Sequence, residues 1–221
     1  MKPTRLDELS DGIFAIVMTI LVFEIRVPEL LPHVNNAELW LNIKHLLPSF
    51  FSYVLSFSLL FTYWRAHHFF VSVYAKNIDV RLTNINALFF LLVGLIPFSA
   101  SLLGKHSENG LSVVIFGMNT ILIGLCLYWM RSYVLHSEHI KNVEISQRDI
   151  NHGTIRTLVP VFSAMLAIIL SLVNTKISLA LFAFAVLFNF SQTSTTFFNK
   201  FAKVIGNFFY GSKNQKFYDY E

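Results

Sequence analysis

Apolar positions in this chain come in long blocks separated by short polar punctuation, with none of the two-residue alternation of a half-buried sheet. Six blocks approach the length needed to cross a bilayer: residues 9–30, 46–73, 85–103, 111–135, 155–173 and 177–198. The second is long enough to tilt or to project beyond the lipid. The sixth turns polar in its second half, at Ser191-Gln-Thr-Ser-Thr-Thr. Connections are short, and 136–154 is the only sizeable polar one. The pattern predicts six transmembrane helices in a single all-α membrane domain covering residues 1–221.

Composition strengthens that reading. Hydrophobic residues make up 54% of the chain, charged residues only 14%, and 23 residues are Phe, more apolar surface than one soluble core of this size can hide. A single cysteine, Cys126, excludes an internal disulfide framework. The formal charge of +4 contains no Lys/Arg run of the kind that binds nucleic acid. Asp7, Glu8 and Asp11 acidify the start, where a cleavable signal would be basic. With six spans, thirteen of the 17 Lys and Arg residues fall on the side that holds both termini, leaving Arg26, Lys44, Lys105 and Lys176 opposite. That bias places both termini in the cytoplasm and the chain in the cell membrane as a multi-pass protein.

The first helix departs from the others. Its uncharged interior runs only from Gly12 to Phe23, between Asp11 and Glu24. A span with charge close to both ends belongs beside water or protein more than in lipid. Thr4 to Asp7 fits a capping box, so the helix is expected to start before the membrane. At about 100° per residue, Gly12, Ile16, Ile20, Phe23 and Val27 share one face, with Thr19 at its edge and Asp11 pointing elsewhere. Glu24 and Glu29, at the far end, read either as cation-concentrating acids or as a solvated helix end.

An up-down-up path through the membrane brings the start of the first helix, the end of the second and the start of the third to one depth. Asp11, Trp64, His67, His68 and Asn86 are therefore expected together, with Asp11 in a buried interhelix or intersubunit hydrogen-bond network that would include Arg5 and Ser10, rather than as a direct ion ligand. His67 and His68 point about 100° apart on a helix, and no third ligand is in view, so no metal site is expected.

These residues also carry a resemblance. Arg5 and Ser10-Asp11, then Trp64 with His67-His68, then Asn86 and Pro97-Phe98, stand in the order and spacing of the transmembrane protein 175 family of potassium channels. The family has Phe-Ser-Asp where this chain has Leu9-Ser10-Asp11, and the likeness runs from about Arg5 to Gly104. It implies a homotetrameric pore lined by the first helix of every subunit, a constriction at Ile16, Thr19 and Phe23 with Ile20 close to the same face, K⁺ as the permeant ion and no cofactor. Phe23 departs from the aliphatic residue usual at the outer position. The partners implied are further copies of the chain, membrane lipid and monovalent cations, and no nucleic acid. No Thr-Val-Gly-Tyr-Gly stretch offers a carbonyl filter, so ion choice would rest on dehydration in an apolar throat. A proton- or cation-coupled transporter using Asp11 and His67 is the alternative, but ionisable groups are scarce within the helices. A membrane enzyme would need a nucleophile–base pair or a metal cluster, and no Ser/His/Asp or His/Cys spacing supplies one.

Overall fold

A computed structural model describes residues 3–28, 35–141 and 147–190, and all regular structure in them is helical. In chain order the elements are α1 (Pro3–Ile20) with a 3-10 turn (Leu21–Glu24), α2 (Asn36–His45), α3 (Leu47–Phe69) extended by a π turn (Phe70–Tyr74), α4 (Val80–Gly94), α5 (Ile96–Lys105), α6 (Gly110–His136), α7 (Gln147–Ser171) and α8 (Thr175–Phe190). Among the described residues, three stretches are long and apolar enough to cross a membrane: Leu47–Phe69, Val80–Lys105 and Gly110–His136. Two shorter apolar helices, Thr157–Ser171 and Thr175–Leu187, follow.

Local chemistry sets the boundaries. Asp79 caps α4 by accepting from Leu82 N–H at 2.8 Å, and Asn109 caps α6 by accepting from Leu111 N–H at 2.9 Å. Pro97, which lacks an N–H and disfavours helix before it, sits in the first turn of α5. The predicted third span is accordingly two helices meeting at Leu95, where a Leu95 N–H to Leu92 C=O bond of 3.2 Å closes the last turn of α4. α1 begins at Pro3, which puts the expected cap, Thr4, inside the helix. Three further departures are outright. The first predicted span, 9–30, ends early: α1 stops at Ile20, the 3-10 turn reaches Glu24, and residues 25–28 are not helical. Residues 147–154, read as loop, form the first two turns of α7, and α2 was not expected at all. The outer part of the sixth predicted span, 191–198, lies outside the described residues.

The core is built around α6. It packs on α7, α4 and α5, while α7 packs on α8 and α3 packs on α5 and α1. Small residues allow the closest approaches: a Cβ built on Gly124 would stand 2.2 Å from Val161 Cγ2 and 3.1 Å from the Tyr63 hydroxyl, and one on Gly117 would stand 2.9 Å from Ile168 Cγ1. Polar side chains tie the same helices: Tyr63 donates to Thr120 C=O at 2.9 Å and Ser52 donates to Ala100 C=O at 2.7 Å. Such bonds suit an interior with no water to offer instead.

Candidate functional site

α1 carries two apolar stripes with opposite fates. Leu6, Ser10, Phe14, Val17 and Leu21 recur at helical spacing and are buried against the bundle. Leu9, Gly12, Ile16 and Ile20 recur at the same spacing on the other side of α1 and are exposed, as are Phe23 in the 3-10 turn that follows and Val27 in the non-helical backbone beyond it. Ile16 is 59% and Phe23 74% accessible. Thr19, also exposed, turns its hydroxyl back on its own helix, donating to Ala15 C=O and Ile16 C=O at 2.9 Å each. Of the four expected constriction residues, Ile16, Thr19 and Ile20 stand on the face of α1 that the protomer leaves uncovered, and Phe23 is exposed in the 3-10 turn after it. At the far end, half-buried Glu24 lies 4.0 Å from Lys105, and Glu29 lies outside the described residues.

The start of α1 is fastened to α3 and α4 by three polar rungs. Ser10 donates to His67 Nδ1 at 3.1 Å, and His67 Nε2–H donates to Asn86 Oδ1 at 2.7 Å. All three side chains are buried, and the pattern satisfies both ring nitrogens of a neutral imidazole. The His67 ring also lies nearly parallel to Phe89, with centroids 5.2 Å apart. Trp64 Nε1–H donates to Asp11 Oδ1 at 2.7 Å, and His68 Nδ1–H donates to Asp7 Oδ1 at 2.9 Å. Trp64 and His68 stack on each other at 5.8 Å. The register follows from antiparallel packing: four residues forward on α1, from Asp7 to Asp11, match four residues back on α3, from His68 to Trp64.

Most of the expected cluster is brought together in this way: Ser10, Asp11, Trp64, His67, His68 and Asn86 all take part. Arg5 is exposed and stands outside these bonds, and Asn84, at the head of the same helix as Asn86, is exposed as well. Asp11, expected to be enclosed, is exposed in the protomer because the uncovered side of α1 begins beside it. Asp7 is the residue that sequence reasoning missed. It lies one turn before Asp11, a spacing that matches Trp64 and His68, and that match was the available signal. With it, Asp7, Asp11 and His68 bring one ligand-type atom each within 4.8 Å of one another, a third candidate ligand that the sequence reading did not have. The rungs to His68 and Trp64 engage one oxygen, Oδ1, of each carboxylate.

Residues 5–97 match the sequence profile of the family described as endosomal/lysosomal potassium channel TMEM175. The chain is similar to a potassium channel of Chryseobacterium sp. (strain P1-3), with 29% identity over 139 residues, covering 62% of this chain and 68% of the relative. It is also similar to a potassium channel of Chamaesiphon minutus, with 35% identity over 104 residues, covering 46% of this chain and 49% of the relative. This second match spans about half of the relative's length. Among solved structures, a TMEM175 homolog from Chamaesiphon minutus, described as a lysosomal potassium-selective channel homolog, superposes with a TM-score of 0.72 at 22% identity, covering 85% of this chain and 95% of that one. The helical fold thus extends well past residue 97, where the family profile ends.

Proposed function

We propose that this chain is a potassium-selective, leak-type cation channel of the cell membrane, active as a homotetramer whose pore is lined by α1 of each subunit. The observation that carries the reading is the division of α1. One apolar stripe is buried and pinned by polar rungs, and the other is complete, apolar and uncovered in a protomer. A helix so held presents a rigid apolar wall to something outside its own subunit, and several such walls around an axis enclose a conduit. The naming of bacterial relatives as potassium channels supports K⁺ as the permeant ion. No cofactor and no catalytic step belong to this reading.

The whole chain, 1–221, acts as one domain, with α1, α3, α4–α5, α6, α7 and α8 as six spans and both termini on the cytoplasmic side. Ile16, Ile20 and Phe23, with Thr19 beside them, form the throat. An apolar ring admits an ion only as that ion sheds water, and K⁺ gives up its hydration shell more easily than Na⁺. Arg5, Ser10, Asp11, Trp64, His67, His68 and Asn86 serve assembly and the positioning of α1. The decisive measurement is the reversal potential of reconstituted liposomes under opposed K⁺ and Na⁺ gradients. A reversal near the K⁺ equilibrium potential, with a detergent-corrected mass of four chains, is expected. Flux that requires a second, coupled ion would replace the channel reading with a transporter.

A further inference from the structure

Two acids on α1 face an imidazole of α3 at the fastened end of the subunit. Asp7 and Asp11 are one turn apart, so both carboxylates fall on one side of α1. His68, in the last turn of α3, stands against them with its Nδ1 2.9 Å from Asp7 Oδ1. One ligand-type atom from each of the three lies within 4.8 Å of the other two. Ligand atoms about 2.0–2.2 Å from a shared ion stand roughly 3–3.5 Å apart, so the three need converge by less than about 2 Å. Small side-chain rotations supply that.

We propose that Asp7, Asp11 and His68 bind a divalent first-row transition-metal ion of the Zn²⁺ kind. The ion takes the place of the hydrogen that His68 Nδ1 gives to Asp7. The ring stays neutral: it loses its hydrogen at Nδ1, gains one at Nε2, and turns the freed Nδ1 lone pair to the metal. The donor set selects the ion. Ca²⁺ takes six to eight oxygens and Mg²⁺ a near-ideal octahedron of them, whereas an imidazole with two carboxylates suits a first-row transition ion. The ligands are also held in place. Trp64 Nε1–H fixes Asp11 Oδ1 at 2.7 Å, and the Trp64 ring lies over that of His68 at 5.8 Å and 19°. Outer partners of this sort orient ligands around an ion. One step inward, the buried Ser10–His67–Asn86 bonds fix α1 against α3 and α4, so the two halves of the site keep their spacing. Asp11 and His68 are exposed, which gives the ion an entry path and leaves room for water at its remaining positions. The site needs only the α1–α3 junction and does not depend on conduction.

The test is a Co²⁺ titration of the full chain in detergent, read by Trp64 fluorescence. Trp40→Phe with Trp129→Phe leaves Trp64 as the single tryptophan of this reporter. Saturable quenching with one Co²⁺ per chain, reversed by Zn²⁺, is expected, together with a melting temperature that rises with Zn²⁺. Asp11→Asn keeps an acceptor for Trp64 Nε1–H but is a poorer ligand, and His68→Gln removes the imidazole. Each should weaken Zn²⁺ binding by more than the roughly 10–100-fold that loss of an outer partner costs. Glu8→Gln, an exposed acid between the two ligands in sequence, should leave binding at the level of the reporter. Quenching that never saturates, or saturable quenching that persists in both Asp11→Asn and His68→Gln, would overturn the proposal. Should those variants fail to fold, X-ray absorption of the Zn²⁺-loaded wild-type chain decides. One imidazole with oxygen ligands is expected, and no imidazole, or two or more, would place the ion elsewhere and overturn it equally.

Discussion

α1 and α6 are both apolar helices, yet they are surrounded in opposite ways. α6 meets α4, α5 and α7, and its glycines lie against neighbouring side chains on more than one side. α1 is packed along one stripe and bare along the other, and it is fastened at its start by hydrogen bonds to α3 and α4. Apolar composition therefore does not tell what a membrane helix is for. A helix enclosed by its own subunit supplies stability. A helix held rigidly with one apolar face uncovered supplies a surface, and the polar rungs on α1 make sense as the means of aiming it. The contrast can be broken at either helix, with consequences of different kind and size.

The largest effect belongs to α6. Gly124→Leu would place a side chain where even a Cβ stands 2.2 Å from Val161 Cγ2, between α6, α7 and the Tyr63 hydroxyl of α3. Overpacking a tight core costs about 1–3 kcal/mol or more, and here three helices must move together. The expected outcome is loss of monodisperse protein in detergent, judged by size-exclusion chromatography and thermal unfolding. A variant with wild-type stability would show that the α6–α7 seam is not the structural centre.

Next comes the fastening of α1. His67→Ala would leave the buried hydroxyl of Ser10 and the carbonyl of Asn86 without their partner and would open space beside Phe89. Each buried polar group left unsatisfied costs about 1–3 kcal/mol. The expected result is a lower melting temperature together with weaker oligomers, since the outward stripe of α1 loses its fixed aim. If oligomers survived at wild-type strength while the subunit was destabilised, the rungs would serve the fold alone.

The split within α1 gives the sharpest test, with neighbouring residues on opposite stripes. Ile16→Asn changes an exposed position, and a surface substitution shifts stability by no more than about 0.5 kcal/mol. Val17→Asn buries an amide among apolar side chains and should cost about 1–3 kcal/mol. The pore reading expects the reverse ranking for conduction: larger current and weaker K⁺ preference from Ile16→Asn, because amides replace part of the water an ion must shed. Unchanged current and ion preference in intact Ile16→Asn oligomers would remove Ile16 from the throat.

How much of this could be read from the sequence follows from what each residue answers to. Long apolar runs answer to the membrane, so α3 and α6 were legible nearly to their ends. The meeting of Asp11, Trp64, His67 and Asn86 was legible because antiparallel helices of similar length return the chain to one depth. Helical periodicity picked out the stripe of Gly12, Ile16 and Ile20, but Leu6, Phe14 and Val17 recur at the same spacing, and only the family resemblance turned the first stripe away from the subunit. The break at Leu95 hides inside a continuous apolar run and depends on the one missing N–H of Pro97. α2 is too short to register as a span, and its apolar sector is interrupted by Asn42 and Lys44. Asp7 looked like an ordinary solvated acid at a helix start; only the pairing with His68 across α3 gives it a role.

The smallest expected effect is a matter of pH, and it sits where the α6 side of the comparison reaches water. Asp79, just ahead of α4, accepts from the Tyr133 hydroxyl of α6 at 2.5 Å and from Leu82 N–H at 2.8 Å, with His139 at 3.5 Å. Burial by itself would raise this carboxyl, but the hydrogen bonds from Tyr133, Leu82 and His139 and the charge of His139 outweigh it and hold Asp79 below the ordinary carboxylate value. A depressed folded-state value means that the unfolded chain binds the proton more readily. The contribution is therefore complete at neutral pH, begins to weaken as pH falls through the unfolded value of about 4, and is gone once pH passes below the folded value. Asp79→Asn should lower the melting temperature slightly at pH 7, and the gap to wild type should close as the medium is acidified past that range. A gap that stayed constant from neutral to strongly acidic pH would mean that Asp79 acts through the shape of its hydrogen bonds, which the amide partly keeps, and that its charge contributes nothing to holding α4 against the end of α6.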